Sequence, residues 1–325
     1  MEKIKLWGNV TPGNSPNRKE EVMELKHRKK PSHLLDMLGW LRALRSKKLG
    51  KNSKQAVDTY THVWVRAADP DYRDTFEDEP YLIPYIAPGS RQAVIVVPGG
   101  GYCMKSMENE GTQIAEHLQK NGITAFVLWY RSNPYYQPYP LMDLQRAVRY
   151  VRFHAREYGY DENQIGAIGF SAGGAQVSLF MNVLRGGLLT LPKYEKDEID
   201  AVSDELDFGG LVYPALNYHH NRAMLYASFP AEEVRDANKQ QAFVDTYDAV
   251  AHMNAAGIPH FICYGTKDTM VSLDRIREYI AVLRMTDTPY REIIIEGAGH
   301  GYGASLDNGK YAYWLEEFTN WLKAH

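Results

Sequence analysis

Gly169-Phe170-Ser171-Ala172-Gly173 lies between residues 164–170, which have the pattern of a short buried strand, and residues 172–184, which have a helical pattern. A serine between two glycines at such a turn is typical of a nucleophile on a strained strand-to-helix connection. The glycines are needed because a Cβ would crowd the turn, and the helix N-terminus favours developing negative charge. A glycine-rich phosphate-binding turn is the alternative, but the Lys-Ser/Thr pair of a phosphate loop does not follow.

Strand and helix patterns alternate on both sides of this turn. Continuous apolar runs such as Ala93-Val94-Ile95-Val96-Val97 indicate buried parallel strands, whereas Pro84 predicts that its own strand lies at a sheet edge. Strands are predicted at 61–66, 81–86, 93–97, 123–129, 164–170, 209–213, 258–264 and 290–296, and helices at 110–121, 141–158, 172–184, 273–283 and 311–322. The alternation predicts an α/β domain over residues 61–325, with a mostly parallel central sheet, helices on both faces and the chemistry at the carboxyl ends of the strands.

A serine nucleophile needs a histidine to take its proton and an acid to orient that histidine. Asp268 follows the strand at 258–264, and His300 follows the strand at 290–296 in a glycine-rich loop. The order serine, acid, histidine along the chain is the one expected after such a turn, so we predict a triad of Ser171, Asp268 and His300. Glu296 and Asp274 are the rival acids. Glu296 lies too close to His300 in sequence to approach from the neighbouring strand, and Asp274 lies in or beside the next helix.

Three glycines follow the strand at 93–97, in the sequence Pro98-Gly99-Gly100-Gly101-Tyr102. Acyl transfer needs N–H donors for the oxyanion, and glycines expose their peptide N–H groups without a side chain in the way. We predict that Gly100, Gly101 and Ala172 supply these donors; a tight turn without a catalytic role is the alternative. The adjacent Cys103 is interpreted as structural, because nothing near it in sequence would activate a thiol.

Two segments are candidates for the walls of a substrate pocket. Residues 130–140 form a loop with four tyrosines, whose rings stack well on sugar or aryl rings, although a rigid surface loop fits the sequence equally well. Residues 217–244 are too long for a tight connection and predict a lid. Their adjacent His219 and His220 lack the spacing of metal ligands, so we expect no metal and no other cofactor. The candidate pocket residues are Tyr102, Tyr135, Tyr136 and Tyr302.

Together these motifs resemble those of the α/β-hydrolase superfamily, and more narrowly those of bacterial esterases related to acetyl-xylan and feruloyl esterases. The resemblance covers residues 60–325 and rests on Pro98 to Tyr102, Tyr130-Arg131, Gly169 to Gly174, Val212-Tyr213-Pro214 and Gly299-His300-Gly301. It implies an α/β-hydrolase fold and hydrolysis of esters with short acyl groups, carried by a sugar or a small alcohol. An amide or peptide hydrolase with the same triad and a non-catalytic binding protein of the same fold are the alternatives.

Composition restricts the possible partners and the cellular location. The chain has 325 residues, a net charge of -3 and 44% hydrophobic residues, which exclude a disordered chain and argue against nucleic acid as a partner. No apolar run is long enough to span a membrane, and no secretory signal follows Met1. Two cysteines cannot form a disulfide framework. We therefore expect a cytoplasmic protein that acts on a small-molecule ester.

Residues 1–60 differ in composition from the rest and are predicted to form a basic N-terminal extension. Residues 26–54 hold ten Lys or Arg and one acid, Asp36. Leucines recur within them at helical spacing, which predicts an amphipathic helix over residues 32–44. We expect this helix to dock on the body through its leucines, with its basic face in water; attachment to a membrane surface is the alternative.

Overall fold

The central feature of the computed structural model is one sheet with the strand order β1-β2-β4-β3-β5-β6-β7-β8. The structure describes residues 2–8, 10–14, 79–133, 135–184, 194–219, 222–253, 257–306 and 309–325. The strands are β1 (Ile4–Lys5), β2 (Tyr81–Tyr85), β3 (Ala93–Val97), β4 (Thr124–Trp129), β5 (Ile165–Phe170), β6 (Phe208–Val212), β7 (His260–Gly265) and β8 (Tyr290–Ile295). All pairs from β4 across to β8 are parallel, and the pairs made by β2 are antiparallel. The prediction of a mostly parallel sheet is therefore confirmed.

Helices connect most of these strands. They are α1 (Gln113–Lys120), α2 (Tyr139–Phe153), α3 (Ala155–Tyr158), α4 (Ala172–Leu179), α5 (Arg222–Ser228), α6 (Ala231–Val234), α7 (Ala237–Thr246), α8 (Leu273–Met285) and α9 (Tyr313–Ala324). The single helix predicted at 141–158 is interrupted at His154, where ψ is 11° and the helix ends before restarting as α3. A wider π-helical turn at Glu108–Thr112, called here the 108–112 turn, leads into α1.

Alternate side chains of the buried strands contribute to two separate hydrophobic cores. In β3, Ala93, Ile95 and Val97 contact the core that α2, α4 and α8 cover, while Val94 and Val96 contact the core that α1 and α9 cover. Since a strand points successive side chains to opposite faces, this division places helices on both faces of the sheet. The continuous apolar runs of the sequence follow from this two-sided burial.

Pro84 does not mark the sheet edge. The prediction that its strand lies at the edge is wrong, because β1 pairs with β2 through Ile4 and Lys5. These two residues cover only Tyr81 and Leu82, so Pro84 lies on the part of β2 that β1 does not reach. Within the described residues, no helix is both long enough and apolar enough to cross a lipid bilayer.

The start of the chain packs on the same body as the sheet. Leu6 is buried in the larger core, Trp7 Nε1 donates a hydrogen bond to Asp143 Oδ1 at 2.9 Å, and Arg146 Nε donates to the Leu6 carbonyl at 2.8 Å. This part of the predicted extension therefore belongs to the folded domain. The basic segment 26–54, the helix predicted within it and the strand predicted at 61–66 lie outside the described residues, and the domain boundary at residue 60 stays a prediction.

The segment predicted as a lid contains α5 and α6 and enters α7. It is called the cap here, for residues 217–246. Its aromatic side chains point inward: Tyr226 and Phe229 are buried, and the Phe229 ring stacks on Phe243 with 4.1 Å between centroids. The cap also contacts the predicted loop at residues 130–140, called here the tyrosine-rich loop. The Gln137 N–H of this loop donates to the Ser228 carbonyl at 2.9 Å.

Candidate active site

Ser171 sits on a strained turn between β5 and α4. Its φ of 52° and ψ of -113° lie outside the ordinary regions for a residue with a side chain, and such strain is typical of functional positions. A Cβ on Gly169 would overlap the Gly173 carbonyl, and a Cβ on Gly173 would overlap the carbonyl oxygen of Val97. The Ser171 N–H donates to the Val212 carbonyl at 3.0 Å, which ties the turn to β6. The two glycines are thus required by the close approach that the sequence predicted.

The three predicted triad residues meet at the carboxyl ends of β5, β7 and β8. The Ser171 hydroxyl lies 2.8 Å from His300 Nε2, and His300 Nδ1 lies 2.8 Å from Asp268 Oδ2. The other carboxylate oxygen, Oδ1, accepts the N–H groups of Met270 at 2.8 Å and Val271 at 3.2 Å. The Asp268 side chain is fully buried. With Nδ1 donating to this carboxylate, Nε2 is the acceptor for the serine proton.

The rival acids are directed elsewhere. Glu296 is exposed and accepts a hydrogen bond from the Thr266 hydroxyl at 3.1 Å. Asp274 is exposed at the start of α8 and pairs with Arg277 at 2.9 Å. Of the three candidate acids, Asp268 is the one hydrogen-bonded to His300.

The loop after β3 approaches the serine closely. A Cβ on Gly99 would come within 2.9 Å of Ser171 Cβ, and Gly100 has a φ of 137° that other residues rarely adopt. Among the described residues, none accepts a hydrogen bond from the peptide N–H groups of Gly100, Gly101 or Ala172. The Gly99 N–H, in contrast, is bound to a carboxylate. The predicted oxyanion donors are therefore the ones left available beside the nucleophile.

Sequence reasoning missed a buried carboxylate beneath this loop. Glu110 Oε2 accepts the Gly99 N–H at 2.7 Å, and Oε1 accepts the Tyr213 hydroxyl at 2.7 Å. The Tyr213 oxygen in turn accepts the Gly303 N–H at 3.0 Å, and the Tyr213 ring lies 4.9 Å from the His300 ring between centroids. Burial raises the pKa of Glu110, while these hydrogen bonds and the nearby His300 act to lower it. Glu110 is the first residue of the helix predicted at 110–121, and nothing in the polar sequence around it distinguishes a buried acid from a solvated one.

The candidate pocket tyrosines occupy different surroundings. Tyr102 and Tyr135 are buried, and Tyr135 packs edge-on against Tyr139, whereas Tyr136 is half-buried. Tyr302 is half-buried, packs on Tyr213 and has its hydroxyl 3.1 Å from the Cys263 sulfur. The assignment of the four residues to a substrate pocket stays a prediction.

Arg131 connects the tyrosine-rich loop to α2. Its guanidinium and its own N–H all bond the buried carboxylate of Asp143 in α2, with a shortest ion-pair distance of 2.7 Å. The guanidinium also lies over the rings of Tyr139 and Tyr135, at 4.8 and 5.6 Å from their centroids. A buried pair of this kind holds the loop in one arrangement beside the site.

Comparison with known proteins gives consistent matches. An acetylxylan esterase of Xylanibacter ruminicola is 27% identical over 239 residues, which cover 72% of this chain and 46% of that protein. The chain thus spans less than half the length of this relative. The acetyl ester-xyloside bifunctional hydrolase of Caldicellulosiruptor lactoaceticus has a TM-score of 0.67 at 27% identity, covering 78% of this chain and 91% of that one. The propionate-bound esterase Est2 of Thermogutta terrifontis has a TM-score of 0.62 at 25% identity, covering 76% and 90%.

These matches agree with the sheet order and with the motifs at the strand ends. The solved structures confirm the α/β-hydrolase fold, and the acetylxylan esterase confirms the resemblance to carbohydrate esterases. The BD-FAE family matches residues 82–281, which is more than half of the 325-residue chain and includes Ser171 and Asp268. On this evidence the chain belongs to the BD-FAE family.

Proposed function

We propose that this protein is a serine hydrolase that cleaves carboxylic esters through a covalent acyl-enzyme. The observation that carries the proposal is the 2.8 Å contact between the Ser171 hydroxyl and His300 Nε2, with the imidazole held from behind by buried Asp268. A hydroxyl bonded to an oriented neutral imidazole is the arrangement that activates serine for attack. Relatives that are named as esterases support the same activity.

The residues at the strand ends supply each step. Ser171 attacks the ester carbonyl carbon while His300 takes the hydroxyl proton, and the N–H groups of Gly100, Gly101 and Ala172 bind the oxyanion. The carbon–oxygen bond to the alcohol then breaks, and His300 gives its proton to the leaving oxygen. Water attacks the acyl-enzyme with His300 as the base, the acid leaves, and Ser171 recovers its proton. Asp268 keeps Nδ1 protonated and stabilises the imidazolium.

The proposed substrates carry a short acyl group, such as acetyl, on a sugar or another small polar alcohol. The cap supports this choice, because the exposed positions of α6 and α7 are mostly polar or small, with Glu232, Lys239 and Asp245 among them. Exposed large apolar side chains of the described residues lie outside the cap, at Val10, Phe153, Met285, Ile294, Leu306 and Tyr313. A lipase lid needs a broad apolar face against lipid. The names of the acetylxylan esterase and the acetyl ester-xyloside hydrolase point in the same direction.

A substrate panel tests both parts of the proposal. It contains acetyl, butyryl, octanoyl and feruloyl esters, acetylated xylo-oligosaccharides and the matched amides, with Ser171→Ala as the blank. We expect kcat/KM to be higher for acetyl or butyryl than for octanoyl esters, with no activation above the micelle threshold. Each CH₂ buried in an apolar tunnel would contribute up to about 0.8 kcal/mol. A steady rise in kcat/KM out to octanoyl would reject the short-acyl preference, and faster cleavage of amides than of esters would favour the amidase alternative.

The proposed location is cytoplasmic. Cys103 and Cys263, the two cysteines of the chain, are both buried and form no disulfide, which supports a reducing compartment. Burial raises the pKa of the Cys263 thiol to about 12. Fractionation of the native host with an antibody against the chain tests this part. Recovery with the secreted proteins would reject it.

A further inference from the structure

The buried carboxylate of Glu110 hydrogen-bonds two segments that lie beside the proposed nucleophile. Glu110 lies in the 108–112 turn. One of its carboxylate oxygens accepts the Gly99 N–H of residues 98–102, called here the oxyanion loop. The other accepts the hydroxyl of Tyr213, which directly follows β6. We propose that Glu110 is a positioning residue, and this proposal rests on the proposed function. Glu110 acts through Gly99 on the oxyanion donors and through Tyr213 on His300. When ionised, it is also a second negative charge near the imidazole, beside that of Asp268.

The contact with Gly99 orients the oxyanion loop. Binding of its N–H fixes the peptide between Pro98 and Gly99, from which the Gly100 and Gly101 N–H groups follow. The carbonyl of the same peptide accepts the Tyr130 hydroxyl at 2.8 Å, and the Gly99 carbonyl accepts the Ser106 N–H at 3.0 Å, so Glu110 completes a set of hydrogen bonds that positions the loop. A charge-assisted hydrogen bond of 2.7 Å is among the stronger restraints available to a buried peptide group. Glu110 therefore keeps the two donors aimed at one position.

The contact with Tyr213 reaches the histidine. The Tyr213 hydroxyl donates to Glu110 and accepts the N–H of Gly303, which lies three residues after His300. The Tyr213 ring packs against the imidazole at 4.9 Å and an angle of 60°. Tyr213 itself has a φ of 35°, a strained value that its surroundings must maintain. Its N–H donates to the Cys263 carbonyl at 2.7 Å, so the strained residue is held from both ends.

The 108–112 turn also directly contacts residues 296–304, called here the histidine loop. The Ala304 N–H donates to the Asn109 carbonyl at 3.0 Å, and the Asn109 side chain donates to the Gly301 carbonyl at 3.4 Å. Glu110 is thus built into an element that already spans from the oxyanion loop to the histidine loop. Movement of this turn would displace both at once.

The charge of Glu110 should affect how the reaction rate depends on pH, which packing alone would not do. The groups that contact His300 are Asp268 from the loop after β7, Ser171 from the turn after β5 and Tyr213 from the residue after β6. Glu110 acts on it electrostatically from the 108–112 turn. Burial raises the pKa of Glu110, and the hydrogen bonds that both of its oxygens accept oppose this effect by favouring the ionised carboxylate. An ionised Glu110 favours the imidazolium that forms during attack. Loss of this charge should therefore slow the attack step.

The test compares Glu110→Gln with Tyr213→Phe and with the control Glu108→Gln, an exposed acid on the same turn. For each variant we measure kcat and KM for an acetyl ester across pH, and the rate at which a fluorophosphonate labels Ser171 across pH. In Glu110→Gln one of the two donors must face an amide N–H. We expect kcat and the labelling rate to fall by about 10- to 1000-fold with little change in KM, and the acid limb of the pH–rate profile to move to lower pH.

Tyr213→Phe keeps the ring and the Glu110 charge but loses both hydroxyl bonds. It should reduce kcat and the labelling rate at least about 10-fold. The acid limb of the pH–rate profile should stay at the wild-type position, in contrast to Glu110→Gln. Glu108→Gln should match the wild type in rate and acid limb. A folded Glu110→Gln variant with wild-type rates and acid limb overturns the proposal. If Glu110→Gln does not fold, wild-type rates in Tyr213→Phe overturn it. Failure of the proposed function looks different, because the wild type would then be labelled at Ser171 without hydrolysing esters.

Discussion

The Ser171 hydroxyl is one small group on which the whole proposed reaction depends. Ser171→Ala should lower ester turnover by about four to six orders of magnitude, because no other group forms the acyl-enzyme. The fold should persist, since removal of a partly exposed oxygen leaves no core cavity. Turnover of an acetyl ester and the melting temperature provide the check, with the exposed Ser203→Ala as the matched control. A purified Ser171→Ala protein with wild-type turnover would remove the mechanism.

The acid that serves His300 can be identified by a pair of variants. Asp268→Asn should reduce kcat by about 10⁴-fold, because an asparagine favours the wrong imidazole tautomer. Glu296→Gln makes the same chemical change on an exposed side chain 3.1 Å from Thr266, and it should leave kcat near the wild-type value. Steady-state kinetics on both proteins decide the assignment. A larger loss in Glu296→Gln than in Asp268→Asn would contradict it.

At this scale the sequence indicated the residues that follow strands. Ser171, Asp268 and His300 each lie just beyond the end of an apolar run, so strand position alone predicts that they approach one another. Glu110 follows no strand directly, and Tyr213 does follow β6, but nothing in the sequence marks its hydroxyl as the partner of a buried acid. An acid near a helix start is expected in water, where it complements the helix dipole, and its burial between a glycine loop and a tyrosine depends on how the 108–112 turn packs.

Among the secondary-structure elements, the turn between β5 and α4 is the least tolerant of added atoms. In Gly173→Ala the new Cβ would overlap the Val97 and Pro98 carbonyls, which belong to backbone and cannot rotate away. We expect the free energy of unfolding to fall by about 1 to 3 kcal/mol or more, measured by urea denaturation. In Gly299→Ala the nearest atom to the new Cβ is 3.9 Å away, so stability should change little. Equal losses in the two variants would contradict this explanation.

The bounds of strands were predictable where every residue of the strand is buried. β3 and β4 lie within one residue of their predicted limits, because apolar residues fill both faces of each strand. β1 was not predicted, since two residues carry no periodicity and their pairing partner is more than 70 positions away. The break at His154 was also missed, because the apolar spacing continues through it into α3.

For the molecule as a whole, His260 makes stability depend on pH. It is the first residue of β7, and burial lowers its pKa to about 4 against an ordinary value of 6.5. Below pH 6.5 the unfolded chain takes up a proton that the folded chain refuses, so stability should fall as the pH decreases toward 4 and level off below it. His260 should account for a loss of about 2 to 3 kcal/mol between pH 7.5 and 4.5.

His260→Gln should lose this part of the pH dependence while retaining a polar group near the Ile258 carbonyl and the Tyr279 hydroxyl. The measurement is urea denaturation of both proteins at pH 7.5 and 4.5, with the difference between the two pH values compared. The exposed His252→Gln is the control and should behave as the wild type does. An unchanged difference in His260→Gln would show that other groups carry the effect.

The arrangement of the triad along the chain has a consequence for protein synthesis. Ser171 and His300 are 129 residues apart, and the base follows the last strand of the sheet. At ribosomal rates of about 5 to 20 residues per second, the nucleophile is made on the order of ten seconds before its base. During that interval the nascent chain carries a serine that nothing deprotonates. On the proposed mechanism we therefore expect ester hydrolysis only after β8 and the loop after it have left the ribosome, and we expect none from a product terminated before them.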